Sequence, residues 1–255
     1  MAIFDHPVWL FFLLLAVLLA VVEIGFRFAQ RTRVSADEEF HSQIIGARTG
    51  IVTLVSFLLG FMLPLGLARF QERRHFVIEE AKAIGTTDLR ADMLPEPVRS
   101  KAHALLREYV DVRLHFFQAG LQESELQTAQ ARSQKLHHAL WLQGVAAAEI
   151  SRDPITGLFA ESLNQMIELS EESLAALEFR VPRAIWIVLV LISLLACLTV
   201  GYSLRRRFFL AMLVTPLMIA IVMALIADLD SPRNGLLQAG QQSMERLQSD
   251  LKPSP

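Results

Sequence analysis

The sequence is poor in cysteine and in excess charge of either sign, and it lacks the common catalytic motifs. Its single cysteine, Cys197, lies inside an apolar run, which favours a small buried side chain over a disulfide or a metal site. The 24 basic and 26 acidic residues leave a formal net charge of −2, so the basic footprint of a nucleic-acid-binding protein is missing. No glycine-rich phosphate loop, nucleophile elbow or catalytic cluster is visible, and we predict that the protein is not an enzyme.

Metal ligands are equally sparse. His75 and Glu79 have i, i+4 spacing, and His137 and His138 are adjacent, but no third ligand follows at a suitable distance along the chain. We therefore predict neither a metal site nor a cofactor.

The sequence is rich in long hydrophobic runs. Of its 255 residues, 53% are hydrophobic and 20% are charged, with a mean hydropathy of +0.40. Four apolar runs, at about 8–28, 44–68, 184–204 and 208–227, are long enough to cross ~30 Å of hydrocarbon, which takes roughly 20 residues. The segment before the first run has no Lys or Arg, and that run exceeds the length of a signal-peptide core. We read it as a retained span.

Between the second and third runs lies a region dominated by helix-forming residues. Breaks at Pro95 and Pro97, at Gly120 and at Asp153-Pro154 predict helices over about 69–93, 97–118 and 121–150, and a fourth from 154 onward. Their apolar stripes are typical of the packing faces of a helical bundle. The fold class is thus an all-α membrane protein with four transmembrane helices and a large helical extramembrane region. Its predicted parts are 1–68, 69–182, 183–228 and an amphipathic C-terminal segment with a tail, 229–255.

The second span carries a distinctive stripe. Its members advance by four, four, four and three residues, and so share one helical face: Thr49, Thr53, Phe57, Phe61 and Pro64. Rings of Phe57 and Phe61 from symmetry-related helices would form an apolar constriction, and Gly60 beside them permits close helix approach. Contact with lipid or with a neighbouring helix explains the same spacing, so both interpretations stay open.

Charged residues near the ends of the spans allow two interpretations each. Arg69 either concentrates anions at a pore mouth or extends to lipid headgroups, and Arg48 is similarly ambiguous. Glu23 is either a functional intramembrane carboxylate or, as we favour, the partner of Arg27. Asp228 and Asp230 either belong to a capped turn or form a charge ring or cation site. In the capped turn, Asp230 or Ser231 would begin a new helix at Pro232.

Several stretches carry a family likeness. The span SFLLGFMLPLGLARF contains Ser56, Phe57, Leu59, Gly60, Phe61 and Arg69 in the pattern of the second bestrophin span. Two longer blocks are more specific: ARFQERRHFVIEEAKAIGTTDLRADMLPEPVR (68–99), followed by LLREYVD (105–111), and ADLDSPRNG (227–235). With VPRAIW at the start of the third span, the sequence resembles the bacterial bestrophin-like membrane proteins, largely uncharacterised relatives of the bestrophin ion channels, over most of residues 50–245.

The resemblance implies a homo-oligomeric ion channel, a pentamer, in the bacterial inner membrane. Its partners would be the lipid bilayer and small inorganic ions. The second span would line a central pore, with a hydrophobic neck at Thr53, Phe57 and Phe61. Thr53 departs from the aliphatic residue of animal bestrophins, and their acidic calcium-binding run is not matched beyond Asp228 and Asp230. Neither calcium gating nor ion selectivity is therefore carried over.

Two indicators of membrane orientation oppose one another. The short loops that hold Arg27, Arg31 and Arg33, and Arg205, Arg206 and Arg207, favour a helical region outside the cytoplasm by the positive-inside rule. Basic residues also flank the membrane on the opposite side, so the rule does not decide the orientation: Arg69, Arg73, Arg74, Lys82, Arg180 and Arg183. The bestrophin resemblance implies a helical region in the cytoplasm. The alternative function is a non-conducting membrane protein whose helical region signals or scaffolds. A transporter is disfavoured because the spans show no inverted repeat.

Overall fold

The computed structural model describes residues 7–31, 38–118, 123–232, 235–237 and 240–252, and this part of the chain contains helices but no strand. The helices are α1 (Pro7–Arg31), α2 (Glu38–Ala91), α3 (Val98–Gln118), α4 (Glu123–Ile150), α5 (Pro154–Glu178), α6 (Arg183–Ser203), α7 (Phe209–Asp230) and α8 (Gln242–Asp250). The predicted all-α fold is confirmed. Arg33, Gly120, Arg233, Asn234 and the tail from residue 253 lie outside the described residues.

Four helices are long and apolar enough to cross a membrane, and their apolar segments lie in α1, α2, α6 and α7. The second predicted span and the helix predicted after it form one continuous helix, α2, of 54 residues. No helix-breaking residue separates Arg69 from the span, which is why α2 continues without interruption. Pro64 lies within α2 but does not end it.

The chain divides into two compact units. Unit 1 consists of Met1–Arg69 and Arg180–Leu237, and unit 2 consists of Phe70–Phe179 and Gln238–Pro255. Unit 1 contains the four membrane-spanning segments. Its core is an apolar cluster from all four spans, including Val22, Leu59, Leu189, Ala196 and Met223. The outward-facing positions of α1, α6 and α7 are mostly large and apolar, as lipid contact requires.

Glycine allows α1 and α6 to cross closely. A Cβ on Gly201 of α6 would overlap the carbonyl oxygen of Val22 and lie 2.8 Å from its carbonyl carbon. A Cβ on Gly25 of α1 would overlap the carbonyl oxygen of Leu198 and lie 3.1 Å from the backbone nitrogen of Tyr202. Each glycine thus contacts the backbone of the other helix, a geometry typical of membrane helices that pack through small residues.

Unit 2 is a helical bundle built from the distal part of α2 with α3, α4, α5 and α8. Its core includes Ile84, Leu106, Leu140, Leu163 and Met166. The amphipathic C-terminal segment, predicted to lie either on the membrane or against the bundle, forms α8 within this unit. Met244 of α8 is fully buried in the core of unit 2, which favours the bundle interpretation.

A buried ion pair crosses the core of unit 2. Arg113 and Glu80 are 1% and 0% exposed, and Nη2 of Arg113 donates to Oε2 of Glu80 at 2.7 Å. Nε of Arg113 lies 2.6 Å from Oε1, but its N–H does not point along that line, so this contact is ionic. The hydroxyl of Tyr109 donates to Glu80 at 3.0 Å. Burial alone would lower the pKa of Arg113, but the Glu80 carboxylate outweighs it and raises that pKa above its usual value.

His137 packs against this pair and is 7% exposed. Its ring centroid lies 4.9 Å from that of Tyr109, and its Nε2 has no hydrogen-bond partner among the described residues. Burial, followed by the charge of Arg113, lowers the pKa of His137 to about 4. The imidazole is therefore neutral at physiological pH.

The local sequence correctly predicts where α5 begins, but not the structure that follows α7. Asp153 caps α5 by accepting from the backbone N–H of Thr156 at 2.9 Å, and this bond lowers the pKa of its carboxyl. The helix predicted to begin at Pro232 is wrong. Asp230 is the last residue of α7 and Ser231 its C-cap, and the Asp230 carboxylate binds Arg69 and the backbone N–H of Val181 instead.

Candidate functional site

One face of α2 in unit 1 is exposed along the whole span. The members of this face follow one another at intervals of four, three, four, four, three and four residues: Gly46, Gly50, Thr53, Phe57, Phe61, Pro64 and Ala68. At 3.6 residues per turn this spacing keeps them within one narrow stripe. Val55, Leu59 and Met62 on the opposite side are buried in the core of unit 1. We call the exposed stripe the α2 outer face.

The predicted neck residues lie at the centre of the α2 outer face. Phe57 and Phe61 are 59% and 65% exposed, and their rings meet edge to face with centroids 4.6 Å apart. Thr53 lies one turn before Phe57 and is also exposed. From Thr53 to Phe61 the helix rises roughly 12 Å, at 1.5 Å per residue. The structure therefore presents all three side chains outward, away from the core of unit 1.

The chemistry of the α2 outer face differs from that of the other spans. The outward positions of α6 are aliphatic, among them Ile187, Leu191 and Leu195, and those of α7 include Val214, Met218 and Ile221. The α2 outer face instead has glycine, threonine, phenylalanine, proline and alanine, and exposed aliphatic side chains of α2 lie beside this stripe rather than in it, at Leu54, Leu65 and Leu67. Small and hydroxylated residues are typical of helix interfaces and pores rather than of lipid contact.

Gly60 lies at the edge of the α2 outer face. No described atom would come within 4 Å of a Cβ placed on it, so packing within the chain does not require a glycine there. Pro64, one turn later, has no N–H and donates no helical bond to the carbonyl of Gly60. Gly60 therefore presents both a small surface and a carbonyl without its usual helical donor.

Arg69 does not lie on the α2 outer face but points toward the end of α7. Its Nη1 lies 3.3 Å from Oδ1 of Asp230, and both side chains are mostly buried. Asp230 also accepts the backbone N–H of Val181 at 3.0 Å. Asp230 thus joins the end of the α2 span to the start of α6.

Asp228, two residues earlier, stabilises a turn. Its carboxylate accepts the backbone N–H groups of Leu236 at 2.6 Å and Leu237 at 3.1 Å. A Cβ on Gly235 would come within 2.9 Å of Asp228 Oδ1, so the turn needs a glycine there. Neither carboxylate lies in a metal-binding group of histidine, cysteine or acidic residues among those described.

The remaining charged positions have partners at the other end of unit 1. Oε1 of Glu23 lies 2.7 Å from Nε of Arg27 and 2.6 Å from Nη2 of Arg207, which confirms the ion pair favoured from the sequence. Arg48 donates to Oγ of Ser203 at 3.2 Å. The sequence interpretation missed Gly46, Gly50 and Ala68, although the same helical spacing would have found them. It included Thr49, which is exposed but lies beside the stripe and donates to the carbonyl of Ile45 at 2.8 Å.

Most of the chain matches one family model. The model of the Bestrophin-like domain matches residues 10–244. The chain belongs to the bestrophin-like family. A bacterial bestrophin homologue from Klebsiella pneumoniae, solved with a leucine-to-threonine substitution, superimposes with a TM-score of 0.66 at 15% identity, covering 94% of this chain and 97% of that one. A membrane protein with a proline-to-alanine substitution matches with a TM-score of 0.67 at 14% identity, covering 93% and 97%.

These two structures establish a shared fold for the bestrophin-like chain. A search of curated proteins finds no significant match. The resemblance seen in the sequence blocks at 68–99 and 227–235 is thereby confirmed, since the matched range contains both.

Proposed function

We propose that this bestrophin-like protein is a homo-oligomeric ion channel of the bacterial inner membrane, with a pore lined by the α2 outer face. The observation that carries the proposal is the composition of that face. It is exposed along the whole span, yet it lacks the aliphatic side chains that the outward positions of α6 and α7 have. A cyclic assembly, a pentamer by the family resemblance, would place these faces around a central axis.

In this proposal Phe57 and Phe61 form the neck. Rings of phenylalanine from several copies would make an apolar constriction, which opposes ion passage by excluding water. The Thr53 hydroxyl on the adjoining turn adds a polar group that lowers the dewetting barrier. Gly60 allows the helices of neighbouring copies to approach closely at this level.

Arg69, Asp228 and Asp230 belong to the proposed pore mouth as anchoring groups. Arg69 and Asp230 neutralise one another, and the Asp228 carboxylate is bonded to two backbone N–H groups. These contacts support a role in holding the end of the pore helix against α7 and the start of α6.

Planar bilayer recording of the purified protein tests the proposal. We expect a conductance that rises when Phe57→Ala and Phe61→Ala widen the neck. Phe12→Ala is the matched control, because Phe12 is 57% exposed on α1 and belongs to a lipid-facing surface. It should leave the conductance unchanged.

Two results would contradict the channel. One is the absence of conductance in a folded, reconstituted protein, which would favour the non-conducting signalling or scaffolding alternative. The other is an equal effect of Phe12→Ala and the neck substitutions. Native mass spectrometry supplies an independent check, because a monomer or dimer leaves no central pore.

A further inference from the structure

A groove of about 470 Å³ opens at the end of unit 1 where α6 begins. Its apolar wall consists of Trp186, Ile187, Val190 and Leu191 of α6, and Ala227 closes it from α7. The polar end has Arg180, Arg183 and Asp230. The groove therefore has two chemically different ends, one basic and one apolar.

The polar end is lined by two arginines and one carboxylate. Asp230 already has Arg69 at 3.3 Å and the backbone N–H of Val181 at 3.0 Å, so its charge is largely satisfied. Arg180 and Arg183 are exposed and add two guanidinium groups. Guanidinium groups bind phosphate through paired N–H donors, which matches the polar end to a phosphate-bearing ligand.

The two ends are spaced as the parts of a phospholipid are. Arg183 is the first residue of α6, and Leu191 follows eight residues later, which is roughly 12 Å further along the helix. Trp186 lies between them, the position that tryptophan favours at the boundary between headgroups and hydrocarbon. A phosphate at Arg183 would thus leave an acyl chain alongside Ile187 and Leu191.

A second copy of unit 1 fits the groove less well than a lipid. The carboxylates of unit 1 whose side chains the structure describes are Glu23, Asp228 and Asp230, and each is already bonded within its own chain. A neighbouring unit 1 therefore offers none of these carboxylates to the two arginines. An anionic lipid carries a negatively charged phosphate that the two arginines can bind.

We propose that this groove is a binding site for one anionic phospholipid, with the headgroup phosphate on Arg180 and Arg183 and an acyl chain along Trp186, Ile187 and Leu191. The site is independent of conduction through the α2 outer face. Each arginine should favour an anionic over a zwitterionic lipid by about fivefold, since a basic residue near an anionic surface contributes about 1 kcal/mol.

Fluorescence of Trp186 tests the proposal. The full chain, with Trp9→Phe and Trp141→Phe to leave Trp186 as its only tryptophan, is reconstituted in phosphatidylcholine vesicles. Brominated phosphatidylglycerol should quench Trp186 at a many-fold lower mole fraction than brominated phosphatidylcholine. Arg180→Gln with Arg183→Gln should abolish this preference, and the matching Lys variants should retain most of it. Arg205→Gln with Arg206→Gln, at the opposite end of α6, is the matched control and should change nothing.

Four outcomes would overturn the site. Equal quenching by the two lipids would show ordinary bilayer contact, and no quenching by either would show that another copy covers the groove. Loss of preference in the Arg205 and Arg206 control would show a general charge effect. Displacement by excess inorganic phosphate would assign the arginines to a free anion. Gel filtration of each variant confirms that it is assembled.

Discussion

The close crossing of α1 and α6 predicts that Gly201→Ala destabilises unit 1. The new Cβ would overlap the carbonyl oxygen of Val22 and lie 2.8 Å from its carbonyl carbon and 3.0 Å from the backbone nitrogen of Phe26. Carbon atoms in favourable contact are about 3.5–4.0 Å apart, so the two helices must separate by roughly 1 Å. All three atoms are backbone, and no side-chain rotation relieves the overlap.

The magnitude follows from a matched comparison. Forcing an extra methyl group into a packed interior costs about 1–3 kcal/mol, whereas alanine gains up to about 1 kcal/mol over glycine in helix propensity. Gly50→Ala in α2 has the same propensity gain, but no described atom would lie within 4 Å of its new Cβ. The difference between the two variants should therefore be about 1–3 kcal/mol against Gly201→Ala.

Thermal melting of the detergent-solubilised protein, followed by tryptophan emission, measures this difference. Gly201→Ala should melt several degrees below Gly50→Ala. Gly25→Ala should resemble Gly201→Ala, and the double variant should lose less than the sum, because one separation of the helices relieves both overlaps. Equal melting temperatures for Gly201→Ala and Gly50→Ala would show that the crossing is not this close in the protein.

Three further predictions concern buried ionisable groups. Glu80→Ala leaves the Arg113 guanidinium buried without its carboxylate, and chemical denaturation should show a loss of about 3–5 kcal/mol; a loss below about 1 kcal/mol would contradict the pair. Because the pKa of His137 is about 4 in the folded state and near 6.5 when unfolded, unfolding takes up a proton between these values, and stability should fall as pH decreases through that window. His137→Leu should flatten the fall and the exposed His138→Leu should not; identical pH profiles would refute this role. Asp230→Ala should cost about 1–3 kcal/mol in melting experiments, since two donors lose their acceptor, and an unchanged protein would be inconsistent with the contacts seen here.

Local sequence signals predicted the helices because each signal acts within one turn or one span. Pro95, Pro97 and Asp153-Pro154 restrict the backbone where they stand, and α3 and α5 begin within a residue or two of them. The four-residue spacing of Phe57 and Phe61 likewise predicted that they share one helical face. The error at Pro232 arose because Asp230 and Ser231 match a helix-capping pattern, while the donors that Asp230 binds are distant in sequence.

Contacts between distant positions could not be predicted in this way. Arg69 and Asp230 are separated by 161 positions and Arg113 and Glu80 by 33, and no periodic pattern connects either pair. The mutual contact of Gly25 with Gly201 depends on which spans cross and at what height. Such pairings are decided by packing of whole helices, so one sequence shows the groups but not their partners.

Packing within one chain does not explain the composition of the α2 outer face. Its glycines at 46 and 50, with Gly60 at its edge, have no described atom close enough to require a missing side chain. Each costs about 1 kcal/mol relative to alanine in a helix interior, so the three together cost about 3 kcal/mol of helix stability. Leucine or alanine at these positions would suit a lipid-facing surface better than glycine. The stripe itself also has no leucine, isoleucine or valine, whereas the outward positions of α6 and α7 do. We attribute both features to what would surround α2 in the proposed channel.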